Sequence, residues 1–534
     1  MTLEDSQYKK SLTKEILKIG VPSFLETLFT TFVSVIDSKM VSALGVTAIS
    51  AVSVTNQPRL FVYSIFFAMN TVTTSLVAKY HGKGDQETAN RVFDHTIKII
   101  VVLSIVLGLL AAALARPIMI LFSGQADTLE ASITYFRIVM AGMIFNLVFL
   151  EVNAALRGFG KTNLTFIDNV LACAVNILFN WLLIMGHWGF PALGIAGAAF
   201  ATVLGNAAAF VLSIVFVCSR KLFINIPYCI SKRFHMTKES LREITAQTKS
   251  CAVDNLAMRA TLLVISGITA RIGSFQMAIY SIGNYLLNVN FALGTGLQTS
   301  SVTLIGRSYG EGVYDRLKAY RRQIIKIGML GAAVLAVLFI SCGGLFFRFF
   351  SDDPAFVRTG HLSCIFIGVI AIFQTLKFCN NGALQGVGKM KEVAFCSIVA
   401  YSCVNLGLVA LLVLVFHWGI WGVWTGTLCS QASQALMLRY FISKTPVFRR
   451  DASLPESDPE SLCKAAGFCR RLCVIRESGR RCGPPCPSSG RHRWAGSAPA
   501  RRSERRSALR KGQNPPSRHS RRRRWSADRN TSAG

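Results

Sequence analysis

Charged residues are scarce in this chain, and whole stretches such as residues 99–115 contain none. Only 16% of the 534 residues are Asp, Glu, Lys or Arg, whereas 51% are hydrophobic and the mean hydropathy is +0.43. A soluble protein of this length needs a larger charged surface. The scarcity of charge therefore excludes a soluble multidomain protein and favours a polytopic membrane protein.

Motifs for chemistry are also missing. No paired cysteine spacing occurs before residue 463, and there is no HExxH or GxSxG sequence. Gly160-Lys161-Thr162 lacks the glycine five positions earlier that a phosphate-binding loop requires, since residue 155 is alanine. We therefore expect no enzyme, no disulfide framework, no zinc site and no organic cofactor.

Long apolar runs are what the chain has instead, and each is bounded by Gly, Pro or clustered charge. Twelve are long enough to cross a bilayer. This predicts an all-α polytopic membrane protein with twelve transmembrane helices, and a start helix that is not cleaved as a signal peptide. The runs lie at 16–44, 50–79, 93–115, 129–156, 163–186, 193–219, 244–270, 278–306, 322–348, 356–384, 391–416 and 420–443.

Basic residues divide unequally between the two sides of these runs. The loops on the side of Met1 carry 22 Lys and Arg residues, against 4 in the loops on the other side. Loops with excess positive charge stay in the cytoplasm. We therefore expect a plasma-membrane protein with both termini cytoplasmic.

The chain also repeats itself at a constant offset of 228 residues. A fixed offset over such a length indicates a duplication of six helices. Because six is even, both halves enter the membrane from the same side, which predicts two parallel six-helix bundles at 1–218 and 244–444, joined by a cytoplasmic linker at 219–243. The matching pairs include Asn56 with Asn284, Gly82 with Gly310, Asn153 with Asn381, Gly158 with Gly386, and Lys161 with Lys389.

The last ninety residues differ abruptly in composition. Residues 449–534 carry 22 of the 58 basic residues and 7 of the 27 acidic ones, and they contain few apolar runs. Such a segment cannot bury a core, so we predict a basic disordered tail at 445–534. It is either a solvated tail, a segment that binds anionic lipid or nucleic acid, or the product of a translated frameshift. For the membrane part we expect no nucleic-acid partner.

Two carboxylates stand out in the first apolar run, within Gly20–Gly45. Glu26 and Asp37 are eleven residues apart, which places them on one helix face about three turns apart, while Lys39 points elsewhere. An acid within a spanning helix usually faces a cavity, an ion path or a proton relay, although internal pairing is the alternative for both. Pro22 with Gly20 allows the helix to bend near its inner end.

Other polar residues interrupt later runs. Asn176 and Asn180 share a face at i and i+4, where they either join helices or offer carbonyl oxygens to an ion. The other candidates for a cavity or gate are Glu151, Asp254, Asn153 and Asn381. Each has a plainer interpretation: an acid near an inner loop for Glu151, and pairing with Arg259 for Asp254. Asp168 is most simply a helix-start carboxylate.

Taken together, these motifs resemble the multidrug and toxic compound extrusion (MATE) family of secondary transporters over residues 10–445. The resemblance rests on Pro22 with Asp37, on Gly82-Lys-Gly84-Asp85, and on Leu156-Arg-Gly-Phe-Gly-Lys-Thr162, several of which recur in the second half.

The resemblance implies exchange of Na⁺ or H⁺ for small organic cations by alternating access. It also implies that Asp37 receives the coupling ion, which is Na⁺ if the ion is a metal. Asn176 and Asn180 would assist Asp37 in binding it. Many members have aspartate at the position of Asn180, which leaves the choice of ion open. We expect a monomer in the lipid bilayer. The alternative is a flippase for polyisoprenoid-linked lipids, which would use Arg59, Arg259 and Lys377 in a basic cavity.

Overall fold

A computed structural model describes residues 3–122, 126–219, 222–232, 234 and 238–449. These residues form helices joined by short connections and contain no strand. The predicted tail lies outside the described part, apart from its first five residues. The helices are α1 Leu3–Ser42, α2 Val46–Gly82, α3 Gln86–Ala113, α4 Ala115–Phe122, α5 Ala126–Ala141, α6 Met143–Gly158, α7 Thr162–Met185, α8 Ile195–Cys218, α9 Ile226–Lys232, α10 Lys238–Ile272, α11 Ser274–Glu311, α12 Tyr314–Arg348, α13 Pro354–Gly386, α14 Met390–Ile398, α15 Leu406–Ala410 and α16 Ile420–Lys444.

The twelve-helix prediction is confirmed. Among the described residues, nine spans are long and apolar enough to cross a membrane, and α5 with α6 forms a tenth that is bent by 49°. The remaining two are α11 and α16, which have 38 and 25 residues but carry more polar side chains.

Two spans depart from simple helices. The fourth breaks beside Gly142, where a Cβ atom would lie 2.6 Å from the Val203 side chain of α8. The eleventh runs through α14 and α15 with π-helical turns at Val399–Asn405 and Leu411–Val415. These features depend on packing against neighbouring helices, and apolar run length carries no signal for them.

Helix α1 lies between the two halves. It packs against α7 of its own half and against α11 of the other. In the repeat, α10 and α2 are the equivalents of α1 and α11, and they pack together in the same way. The two halves therefore meet through a pair of symmetry-related helix contacts.

Glycines permit these crossings. A Cβ atom on Gly296 of α11 would lie 2.7 Å from the Gly20 carbonyl oxygen of α1. At the C-terminal ends of α2 and α11, a Cβ atom on Gly82 would lie 2.8 Å from the Arg307 carbonyl carbon, and one on Gly310 would lie 3.0 Å from the Lys79 carbonyl carbon. Backbone is in contact with backbone at all three places.

Hydrogen bonds also join the halves toward this end of the molecule. The Ser75 hydroxyl donates to the Gln385 carbonyl oxygen at 2.5 Å, and the Thr303 hydroxyl donates to the Arg157 carbonyl oxygen at 2.9 Å. The Ser300 hydroxyl, on α11, donates to the Ile16 carbonyl oxygen of α1 at 3.1 Å. The halves are thus closed together at the end where Gly82 and Gly310 lie.

Candidate functional site

A cavity of about 450 Å³ lies within the first half, among α1, α2 and α5–α8. Its wall is partly aromatic and partly amide, and it contains one acidic and one basic side chain. The aromatic residues are Tyr63, Phe67, Tyr135 and Phe149; the amides are Asn56, Asn146, Asn169, Asn176, Asn180 and Asn206; the charged residues are Asp37 and Arg59.

Asp37 lies on the face of α1 that packs against α7, and it is half-buried. The Asn180 side-chain nitrogen donates to Asp37 Oδ1 at 2.8 Å. In the amide orientation that satisfies both of its polar atoms, Asn176 donates to the two Asp37 oxygens at 2.8 and 3.1 Å and accepts from the Thr202 backbone nitrogen at 3.3 Å. The structure therefore brings together the three residues that the sequence suggested for coupling.

No basic side chain neutralises Asp37 within the described ranges. Lys39 is exposed, and no lysine or arginine there comes within 4.0 Å of the Asp37 carboxylate. Asn180 Oδ1 is buried and has no hydrogen-bond partner among the residues that the structure describes. A carboxylate beside a free amide oxygen is a suitable oxygen set for a hard monovalent cation, and the same carboxylate can take up a proton. These residues therefore fit either coupling ion.

Glu26 lies on the same helix face but does not line this cavity. It is 8% exposed. It accepts hydrogen bonds from the Thr165 hydroxyl at 3.0 Å and the Asn169 side-chain nitrogen at 2.9 Å, and Arg157 Nη1 lies 3.7 Å away. Glu26 is thus internally paired, the alternative that the sequence left open.

Glu151 and Asn153 are fully buried on α6, and neither lines the cavity. The Thr73 hydroxyl donates to Glu151 Oε1 at 2.7 Å. Asn153 faces Asp168 of α7. The interpretation of Asp168 as a helix-start carboxylate is not what the structure shows, because Asp168 is the seventh residue of α7 and has no exposed surface.

In the second half, Asp254 lies near Ser397 and Lys377 rather than pairing with Arg259. Asp254 and Arg259 are five residues apart on one helix. They point in different directions, because five residues turn a helix through about 500°, which is about 140° beyond one full turn. Lys377 is 5% exposed and donates to the Tyr401 hydroxyl at 3.1 Å. Asn381 is 9% exposed, and its Oδ1 atom has no partner. None of these residues is in the wall of the cavity described above.

Sequence reasoning missed the contribution of α8. Thr202 and Asn206 both line the cavity, and Asn146 donates to Asn206 Oδ1 at 2.9 Å. Thr202 and Asn206 are one turn apart in an otherwise apolar helix, the same i and i+4 signal that identified Asn176 and Asn180.

The comparison with known protein families shows the same duplication. The MatE family model matches the chain twice, over residues 22–182 and 251–411. Each match falls in one of the two halves inferred from the repeat.

Individual relatives are distant but extend over most of the chain. A probable multidrug resistance protein NorM of Thermotoga maritima is 23% identical over 434 residues, which is 81% of this chain and 92% of that protein. A probable multidrug resistance protein NorM of Rhizobium meliloti is 25% identical, covering 79% and 91%.

Solved structures share the fold. A multidrug resistance MATE family transporter in an outward-facing conformation superimposes with a TM-score of 0.75 at 19% identity, covering 81% of this chain and 96% of that one. A MOP superfamily transporter from Pyrococcus furiosus gives a TM-score of 0.74 at 19% identity, covering 80% and 95%.

Proposed function

Because this chain belongs to the MatE family of multidrug and toxic compound extrusion transporters, we propose that it exports small organic cations in exchange for H⁺ or Na⁺. Membership supports a multidrug efflux transporter and no enzymatic activity. The single observation that carries the finer proposal is the Asp37 carboxylate, which lies in a cavity wall, bonded to amides and unpaired with any base in the described chain.

The cavity wall supports an organic cation as substrate. Aromatic rings such as Tyr63, Phe67 and Tyr135 present apolar surface and a negative face to a cation, and Asp37 provides the opposite charge. Several amides around them offer adjustable hydrogen bonds. A wall of this kind binds by shape-tolerant contacts, which suits a range of substrates better than one.

Coupling follows if the substrate and the ion compete for the same carboxylate. A bound proton or Na⁺ neutralises Asp37, so an organic cation then loses its countercharge and leaves. Conversely, an organic cation that enters the cavity displaces the ion. The Asn180 amide oxygen, which has no other partner, would complete the oxygen set around Na⁺.

Alternating access would use the position of α1 between the halves. Its Pro22 lies inside the helix, within one turn of Gly20 where α1 crosses α11. A change in the charge state of Asp37 would alter the packing of α1 on α7, and a bend near Pro22 would pass that change to the other half. Rocking of the two bundles, 1–218 and 244–444, then opens one side and closes the other.

We also propose that both termini are cytoplasmic, from the distribution of basic loops, and that the chain works as a monomer. The side on which the halves are closed would then be the cytoplasmic side. For the flippase alternative, Arg259 and Lys377 are not in the wall of the cavity, and Arg59 is its sole basic residue.

The test is gradient-driven uptake of a labelled organic cation, such as ethidium, into inside-out vesicles with Na⁺ and pH varied separately. We expect uptake driven by one of the two gradients and lost in Asp37→Asn. The matched control is Asp315→Asn, which removes a carboxylate that is 99% exposed and should keep full uptake. Unchanged uptake by Asp37→Asn would refute the proposal. A defect in envelope polysaccharide without any uptake would favour the flippase.

A further inference from the structure

The polar contacts between α1 and α7 repeat with a spacing of eleven residues on both helices. Asp37 contacts Asn176 and Asn180, as described above. Eleven residues earlier on α1, Glu26 contacts Thr165 and Asn169, which are each eleven residues earlier on α7. The two contact sets lie roughly 16 Å apart along the same helix pair. We call the set around Glu26 the inner station.

Two buried polar side chains at the inner station have unused hydrogen-bonding atoms. Among the described residues, no hydrogen bond of good geometry reaches either oxygen of Asp168, which has no exposed surface and has the Asn153 amide as its weak partner. Asn153 is also fully buried, and its amide oxygen has no partner in the described part of the chain. Leaving such groups unsatisfied is costly, so these side chains have polar atoms available to a ligand.

The charges at the inner station do not balance. Glu26 and Asp168 lie within electrostatic range of each other, and Arg157 is the cation beside Glu26. Helix α8, which also packs on α7, has no charged residue. Among the other charged groups at this end, Lys18 and Lys161 are exposed.

Glu151 is the remaining acid on α6, and it is bonded to Thr73 instead of facing the station. The inner station therefore contains two carboxylates and one guanidinium, which leaves it one positive charge short. A monovalent cation restores neutrality, whereas a divalent one would overcompensate.

We propose that Asp168, Glu26 and Asn153 form a second binding site for a monovalent cation, inward of Asp37. The two carboxylates and the Asn153 amide oxygen supply the ligand atoms if the cation is Na⁺. If it is a proton, Asp168 carries it and donates it to the Asn153 amide oxygen, which satisfies both orphan groups. The role of this site as an intermediate binding site for the coupling ion rests on the proposed function. The binding of a cation there does not.

Arg157 connects the inner station to the closed side of the molecule. Its guanidinium lies 3.7 Å from Glu26, and its carbonyl oxygen accepts the Thr303 hydroxyl from the other half at 2.9 Å. Separation of the halves breaks this second contact, which the Arg157 backbone makes.

The binding test counts ions on the purified full-length chain. Equilibrium binding of ²²Na⁺ at pH 8 should give two ions per chain, one in Asp168→Asn, one in Asp37→Asn and none in the double variant. Asp315→Asn, on an exposed site, should keep two. Because Asp168→Asn changes a buried group, Asn153→Leu provides a second variant that keeps both acids. It should weaken one of the two Na⁺ sites at least threefold.

A proton at the inner station gives a different result. Asp168→Asn and Asn153→Leu then leave the Na⁺ count of the unmodified chain unchanged, but infrared difference spectra across a pH step show a protonated-carboxyl band that disappears in Asp168→Asn and shifts in Asn153→Leu. The proposal is overturned if Asp168→Asn and Asn153→Leu match the unmodified chain in both Na⁺ count and carboxyl bands. Failure of organic-cation uptake would refute the proposed function and leave this count unaffected.

Discussion

Replacing Gly82 or Gly310 with alanine should push the two halves apart where the C-terminal ends of α2 and α11 cross. The added Cβ atom would lie 2.8 Å from the Arg307 carbonyl carbon in Gly82→Ala, and 3.0 Å from the Lys79 carbonyl carbon in Gly310→Ala, with the carbonyl oxygens nearer still. Backbone atoms cannot rotate away as side chains can. The helices must therefore separate by roughly 1 Å, and overpacking of this kind costs about 1–3 kcal/mol.

That cost applies only while α2 and α11 cross in contact. If the halves separate during the cycle, the substitution penalises the closed inner side and leaves the open one unaffected. The ratio of open to closed molecules should then rise about 5- to 150-fold for each substitution. Efflux should slow, because the inner side no longer closes efficiently.

Distances between spin labels at Lys161 and Lys389 measure this shift directly. Both residues are exposed and directly precede a helix, and they are related by the repeat. Double electron–electron resonance should show a population at longer distance that grows in Gly82→Ala and in Gly310→Ala. The matched control is Gly267→Ala, because a Cβ atom there meets nothing within 4 Å. Distance distributions identical to that control would refute the reasoning.

Three further predictions concern the cavity and the tail. Arg59→Gln should raise the affinity for a monovalent organic cation about fivefold in equilibrium binding. The reason is that removing a like charge across roughly 10 Å, at an effective dielectric constant of roughly 40, gains about 1 kcal/mol of binding free energy. Unchanged or weaker binding would contradict this prediction. Asn180→Asp adds a second acid beside Asp37, so ²²Na⁺ or proton uptake per exported substrate should rise by about one, and a constant ratio would count against the site. A chain ending at Arg449 should keep its uptake rate in vesicles, because the last described spanning helix ends at Lys444; loss of all uptake would show that the tail is needed.

Much of the fold follows from the sequence, because the bilayer imposes long apolar runs that few other structures require. The sequence also predicts that Glu26 and Asp37 lie on one face of α1, since this depends only on helix geometry. The bend at Gly142 and the π-helical turns did not, because they arise from contacts between helices distant in sequence.

The polar network was predictable only in part. Asn176 and Asn180 were found from their spacing, and the same spacing of four extends back through residue 172 to Asp168. The interpretation of Asp168 as a helix-start carboxylate overlooked this extension, which places Asp168 on the same face of α7 as Asn176 and Asn180. In contrast, the approach of Arg157 to Glu26 joins residues 131 positions apart and required the packing of α6 and α1.

The central claim is that one carboxylate, Asp37, holds either the coupling ion or the organic cation. Binding of ethidium to the purified chain, titrated against Na⁺ and against pH, tests this most directly. We predict that one of the two ions lowers the apparent ethidium affinity competitively, and that Asp37→Asn abolishes the competition. Competition that persists unchanged in Asp37→Asn would contradict the account.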